Sequence, residues 1–320
     1  MTMPAVGDAE LAAVARGLAT ASGVPGFVVG RSVCASTALA AVGYADLDAL
    51  RPVAADSPFR LSSVTKVLTT IAVLRLVDDG LIALTDSVAR FTALVLPGDV
   101  TVQHLLTHTS GLAFDGWVHV GEGEPLLKIE DCTITVAAPA GSTRAYSNQG
   151  FAVLGRVIEH CTTQSWRDHI GETVLRPLGM HATVLFDPPA FPDGYTEDAD
   201  AIVREDRYTP GYEPAAAGWT TAADLLALGH AVIDPELGLV SDAAYSLMNR
   251  NYADVSGDLT QGLGLLRFSG ARGDVLFHTG GWPGWSSSLA VRRADETCVA
   301  VGANRSVEAR SDWARDLLGD

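Results

Sequence analysis

The segment from Ser63 to Asp79, SVTKVLTTIAVLRLVDD, places Val64, Val67, Leu68, Ile71, Val73, Leu74, Leu76 and Val77 nearly all round a helix. A helix without a polar face is buried on every side, so the rest of the chain must wrap it. Gly80 ends it and Pro58 precedes it. The chain has 320 residues, 48% of them hydrophobic, enough for one large domain or two lobes around such a helix. Lys66 lies in the first helical turn. A buried ammonium without partners is costly, so this Lys must be paired or functional. Only two of the 22 basic residues are Lys, Lys66 and Lys128, which makes the choice at 66 informative.

The net charge of −16 repels phosphate backbones and anionic membranes, so neither nucleic acid nor membrane is an expected partner. No stretch is long and apolar enough to span a bilayer. The first residues carry Asp8 and Glu10 before any Arg, unlike the basic start of a secretory signal, and the expected location is cytoplasmic. Cys34, Cys132, Cys161 and Cys298 are far apart, as core thiols are, with neither a metal-site nor a disulfide spacing.

Residues 8–21 read as a helix, and 24–33 and 36–45 as strands. Helices follow at 101–108, 149–162, 165–175, 221–233 and 241–249. Strands follow at 261–268, 274–278, 285–292 and 297–303, then a helix at 306–318. Residues 112–145 and 186–218 read as loops. The expected fold class is α+β: an antiparallel sheet flanked by N- and C-terminal helices, with an inserted all-helical lobe. The expected division is a single catalytic domain of two lobes, an α/β lobe at 1–60 and 200–320 and a helical lobe at 61–199. A cleft between them is the natural ligand site.

Ser63 and Lys66 are three apart, so they share a helix face. Desolvation and the helix dipole disfavour a protonated Lys, and a neutral amine can take the Ser63 proton. The plain alternative is a capping Ser beside a Lys that snorkels to solvent. Tyr146-Ser147-Asn148 precedes a helix, where Asn148 is by default a cap and Tyr146 a core Tyr. His278-Thr279-Gly280-Gly281 ends a predicted strand. His104 and His108 have the i, i+4 spacing of a metal pair but lack the Glu of an HExxH motif, so no metal is expected there. There is no Gly-x-Ser-x-Gly elbow and no complete dinucleotide fingerprint.

FRLSSVTK (59–66), LLTHTSGL (105–112), Tyr146-Ser147-Asn148, GWTTAADLLALGHAVI (218–233) and His278-Thr279-Gly280 together resemble the serine β-lactamase and penicillin-binding-protein superfamily. The resemblance is closest to the class C-like branch that holds carboxylesterases and D-amino-acid-specific peptidases. It implies that Ser63 is an acylated nucleophile, Lys66 its hydrogen-bonded partner and part of the base system, and Tyr146 either a general base or a group that shares the proton with Lys66. It implies that Asn148 orients Lys66 and the substrate carbonyl, and that His278 tunes Tyr146. The oxyanion would rest on the backbone N–H groups of Ser63 and Gly281. Thr279, Gly280, Trp282 and Trp285 are expected to bind substrate, with Trp117 and Trp219 as looser candidates. His278 departs from the Lys usual in β-lactamases, which points to ester or amide hydrolysis rather than β-lactam defence. The expected substrate is a small ester, amide or peptide, and no cofactor is needed. Acyl or peptidyl transfer from the same acyl-enzyme, or a non-catalytic binding relative, are the alternatives.

Overall fold

The computed structural model describes residues 8–319 apart from 35, 97, 116–118, 122–123, 125–126, 187–191, 199–200, 207 and 309. Nine strands form one sheet: β1 (Gly26–Val33), β2 (Ser36–Asp46), β3 (Arg51–Pro52), β4 (Ala253–Ser256), β5 (Leu259–Gln261), β6 (Leu266–Gly270), β7 (Gly273–Trp282), β8 (Trp285–Arg292) and β9 (Thr297–Ala303). Their order is β4-β5-β6-β7-β8-β9-β1-β2-β3, and each pair is antiparallel. The early strands therefore join the late ones through β1 on β9, with Phe27 opposite Ala303 and Val33 opposite Thr297.

Helices α1 (Asp8–Ser22) and α9 (Arg310–Leu318) cover one face of this sheet. Leu11, Ala15, Phe27, Trp313, Leu317 and Leu318 are buried there, and the Phe27 and Trp313 rings meet edge to face at 5.1 Å. The remaining helices are α2 (Thr65–Asp78), α3 (Val102–Leu106), α4 (Asn148–Thr162), α5 (Trp166–Ile170), α6 (Glu213–Ala216), α7 (Ala222–Ile233) and α8 (Asp242–Met248). Helix α7 packs on the other face, against β8, β9 and β1, and its core is continuous with that around α2. Every residue of α2 from Thr65 to Leu74 is buried, as its apolar circumference requires.

Several boundaries differ from the sequence reading for local reasons. Ser62–Val64 forms a 3₁₀ turn before α2, so Ser63 sits at a tight entry rather than inside the α-helix. Helix α3 stops at Leu106 because His108 takes a left-handed φ of 55°. The 165–175 helix ends in a π-helical turn at Gly171–Leu175. The 261–268 segment breaks into two strands around Gly262 and Gly264. The 186–218 stretch holds a hairpin, Tyr195–Asp198 with Ala201–Arg204, and the short helix α6. Strand β7 runs on to Trp282, four residues beyond its expected end.

One contact fixes where Ser63 lies. At Gly280 on β7, an added Cβ would sit 2.2 Å from Ser287 Oγ, 2.5 Å from Leu61 O and 3.0 Å from Ser62 Cβ. Only glycine lets the strand approach the 61–63 turn this closely. Ser287, opposite Gly280 on β8, donates its hydroxyl to Leu61 O at 2.8 Å. Ser62 itself has φ of 50°, a conformation that costs a non-glycine residue about 1–3 kcal/mol and so must be imposed by these neighbours.

Gly280→Ala is expected to lower unfolding stability by about 1–3 kcal/mol, the usual cost of overpacking. Gly17→Ala in α1, where a Cβ meets nothing within 4 Å, is expected to raise it by about 0.5–1 kcal/mol. Urea denaturation of the two variants checks the contrast, and equal effects would mean that the β7 approach is not tight.

Candidate active site

A cleft of about 250 Å³ opens where the 3₁₀ turn, the turn after α3, the start of α4 and β7 converge. Ser63, His108, Tyr146, Asn148, His278, Thr279, Gly281 and Trp282 line it. Lys66 lies just beneath, fully buried. Its ammonium has three acceptors: Asn148 Oδ1 at 2.7 Å, Ala215 O at 2.8 Å and Ser63 Oγ at 3.3 Å. The rings of Tyr146 and Phe151 lie 4.8 and 5.4 Å from Nζ. Burial brings the ammonium down to about 7, and the charge of Asp115 opposes that fall. The nucleophile candidate thus faces an amine that exchanges its proton near neutrality.

The 214–217 segment is held against α2 by the helix's few polar residues. Thr65 Oγ1 donates to Ala217 O at 2.5 Å, Lys66 Nζ to Ala215 O and Thr69 Oγ1 to Pro214 O at 2.8 Å. Three polar side chains of α2 therefore mate with three backbone carbonyls that an all-apolar helix would leave unpaired. Pro214 in turn rests against Gly155 of α4, where a Cβ would fall 2.4 Å from its Cγ.

Asn148 is the first residue of α4, and its neighbour Ser147 is the cap, accepting from Gly150 N at 3.2 Å. Asp115 accepts from Asn148 N at 2.9 Å and from Gln149 N at 2.7 Å. This carboxylate satisfies the start of the helix and its dipole. It also takes Asn148 Nδ2 at 3.2 Å, which turns the amide oxygen of Asn148 towards Lys66. Asp115 was not legible in the sequence, since it stands 33 residues before the helix it caps.

Tyr146 reaches the cleft on a segment that is neither helix nor strand. The turn after α3 templates it. Gly141 N donates to Thr109 O at 2.7 Å, Ala145 N to His108 O at 2.8 Å, and Ser147 N to His108 Nδ1 at 3.2 Å. The His108 ring lies 4.4 Å from the Tyr146 ring and 5.3 Å from that of Phe151. Because Nδ1 accepts, the His108 proton is on Nε2. Burial, then the Lys66 charge, holds this imidazole well below its usual range. His104, its sequence partner, instead closes a capping box with Thr101, so the two imidazoles have separate structural roles.

His278 Nδ1 lies 2.7 Å from Thr279 O. A carbonyl only accepts, so the proton is on Nδ1 and the Nε2 lone pair is free to accept. Burial, followed by Lys66, lowers its pKa to about 3, so this ring is neutral. Trp282 lines the cleft, and the Arg60 guanidinium lies 5.2 Å from its ring and 4.9 Å from that of Trp219. Trp285 does not line it. Its ring meets Trp219 edge on at 5.0 Å, beside a separate small cavity under Phe59. Trp117 lies outside the described residues. Arg144 and Gln261, unmarked in the sequence reading, also line the cleft.

The Lys66 shift carries a pH signature. Between about pH 7 and 10.5 the unfolded chain holds a proton on this side chain that the folded chain has lost, so the Lys66 contribution to stability rises with pH. The difference in unfolding free energy between the parent and Lys66→Met is expected to move in the parent's favour by roughly 1–3 kcal/mol from pH 6 to pH 9. Urea melts at both values check this, and a gap independent of pH would contradict it.

The Beta-lactamase family model matches residues 11–319. Esterase EstB of Burkholderia gladioli is 35% identical over 193 residues, covering 51% of this chain and 48% of that protein. A D-aminopeptidase of Gluconobacter oxydans (strain 621H) is 29% identical over 294 residues, covering 86% of this chain and 54% of its own. The chain therefore spans about half the length of these two relatives. The octameric penicillin-binding protein homologue from Pyrococcus abyssi superposes with a TM-score of 0.85 at 24% identity, over 98% of this chain and 77% of that one. The match along nearly the whole chain, on a fold shared with a penicillin-binding protein homologue, shows that this chain belongs to the beta-lactamase family.

Proposed function

We propose that this chain is a serine hydrolase that cleaves an ester or amide through an acyl-enzyme on Ser63. The observation that carries the reading is the buried Lys66 ammonium, 3.3 Å from Ser63 Oγ and brought to about 7 by burial. Ser63 Oγ attacks the carbonyl carbon while its proton passes to the Tyr146–Lys66 pair. The carbonyl electrons collect on oxygen, facing the backbone N–H groups of Ser63 and Gly281. The intermediate collapses, and Tyr146 returns the proton to the departing alcohol or amine. Water then attacks the acyl carbon, with the same groups taking its proton, and releases the acid. Asn148 holds Lys66, and the neutral His278 offers Nε2 as an acceptor beside the cleft.

Esters are the first substrate class and small D-amino-acid amides or peptides the second. The similarity to esterase EstB and to a D-aminopeptidase supports both, and a cleft of about 250 Å³ suits a small acyl group. We read the chain as a single catalytic domain of two lobes. Ser63, His108 and Tyr146 reach the cleft from residues 61–199, and Gln261, His278, Thr279, Gly281 and Trp282 from 200–320, whereas Gly280 packs on the 61–63 turn instead. Four free thiols, of which only Cys298 is buried, fit a reducing cytoplasm.

A serine-reactive fluorophosphonate is expected to add once, at Ser63, in the folded protein, and not to Ser63→Ala. Mass spectrometry of the labelled chain checks this, and an unlabelled parent would overturn the hydrolase reading. Tyr146→Phe is expected to cut turnover of a p-nitrophenyl ester by about 10²–10⁴-fold. Near-parental turnover would remove Tyr146 from the proton path.

A further inference from the structure

The family resemblance leaves an electrostatic gap in this cleft. A Tyr, with its ordinary pKa of about 10, acts as a base near neutrality only beside a positive charge. The third motif offers none, because His278 is neutral. His108 is neutral for the same reason. Lys66, near 7, is charged only part of the time at the pH where the site would work. A guanidinium behaves differently, since it stays protonated even where burial lowers it.

Arg144 is that guanidinium, and the only Arg or Lys among the described residues lining the cleft. It lies two residues before Tyr146, is half-buried, and is anchored from behind. Its Nε donates to Gln261 Oε1 at 2.9 Å. Gln261 is 2% exposed and cannot turn away, because its Nε2 is committed to Gly262 O at 2.9 Å and Leu265 O at 3.0 Å. This built clamp joins the β5 strand to the segment that carries Tyr146. Burial lowers the Arg144 guanidinium from its usual range and the charge of Tyr146 opposes that fall, an attraction whose sense favours a phenolate beside the guanidinium.

We propose that Arg144 is the positioning residue that holds Tyr146 in its base form, supplying the permanent positive charge that the His278 motif lacks. The proposal rests on the reading of Tyr146 as the base. The other titratable groups facing Tyr146 are Lys66 from α2, His108 from the turn after α3, His278 from β7 and Tyr212 before α6. The charge of Asp115 reaches both Lys66 and Tyr212. Among the cationic groups facing Tyr146 only Arg144 keeps its charge across the working range, so its removal moves the titration of the site without adding a new one.

The test is the pH dependence of kcat/KM for a neutral p-nitrophenyl ester between pH 5 and 9, on the full chain. The rising limb is expected to move up by about one pH unit in Arg144→Gln, a loss of about tenfold at pH 7 that shrinks as pH rises. Arg144→Lys is expected to restore the limb to within a few tenths of a unit. Gln261→Leu, which frees the guanidinium, is expected to shift it in the same direction by less. An equal loss at every pH would mean a merely structural Arg. A higher KM with an unmoved limb would mean a substrate contact, and either result overturns the proposal. Fluorophosphonate labelling of Ser63 in each variant separates the two readings. Labelled variants with an unmoved limb sink the role of Arg144 alone, whereas an unlabelled parent sinks the hydrolase reading beneath it.

Discussion

A primary ammonium with no exposure, set between the rings of Tyr146 and Phe151, must either find acceptors or lose its proton. Lys66 does both. Three oxygens accept from it, yet burial still brings it to about 7. Each acceptor comes from a different part of the chain: the 3₁₀ turn, the start of α4 and the segment at α6. Displacing any of them removes a hydrogen bond to a charged group, worth about 1.5–3 kcal/mol. The demand of one amine thus ties together segments separated by 82 and 149 residues in the sequence.

Two rigid elements carry the rest. The sheet seats the Ser63 turn through Gly280, which has no side chain, and Ser287, which holds Leu61 O. The turn after α3 seats Tyr146 through two backbone carbonyls and an imidazole. Both seats contain strained backbone, at Ser62 and at His108, each with a left-handed φ. Strain of this kind persists only where the surroundings over-determine it, and here the surroundings are the tight β7 approach and the docked 141–147 segment. The nucleophile candidate and the base candidate therefore rest on structures that do not depend on substrate.

Charge in the cleft runs against charge on the whole. The chain carries −16, yet no Asp or Glu is among the described residues that line the cleft, and Arg144 is. Asp115, the nearest carboxylate in the network, spends both oxygens on backbone N–H groups at the start of α4. Long-range steering by the surface would repel an anionic substrate, while the interior favours negative charge as it develops on a phenolate or an oxyanion. That division suits a neutral substrate whose charge appears only during reaction.

Much of this was written in local sequence. The apolar circumference of the 63–79 segment dictated a central helix, and the late strands at 285–292 and 297–303 match β8 and β9 residue for residue. Ser63 and Lys66 share a face because helical spacing puts them there, and Tyr146, Asn148 and His278 were legible through ordered motifs. Other features had no local signal. Arg144, Gln261 and Asp115 are ordinary polar residues until folding sets them beside Tyr146 and Asn148. The stacking of His108 on Tyr146 joins positions 38 apart, and the turning of Trp285 away from the cleft follows from its packing on Trp219. The sequence by itself determined the main helices and strands and the reactive residue types, because helix and strand periods and motif spacing are short-range properties, while the 195–204 hairpin and α6 carried no such period. Only the tertiary structure decided which charges those residues feel, because burial and electrostatic interaction depend on distance in space and not along the chain.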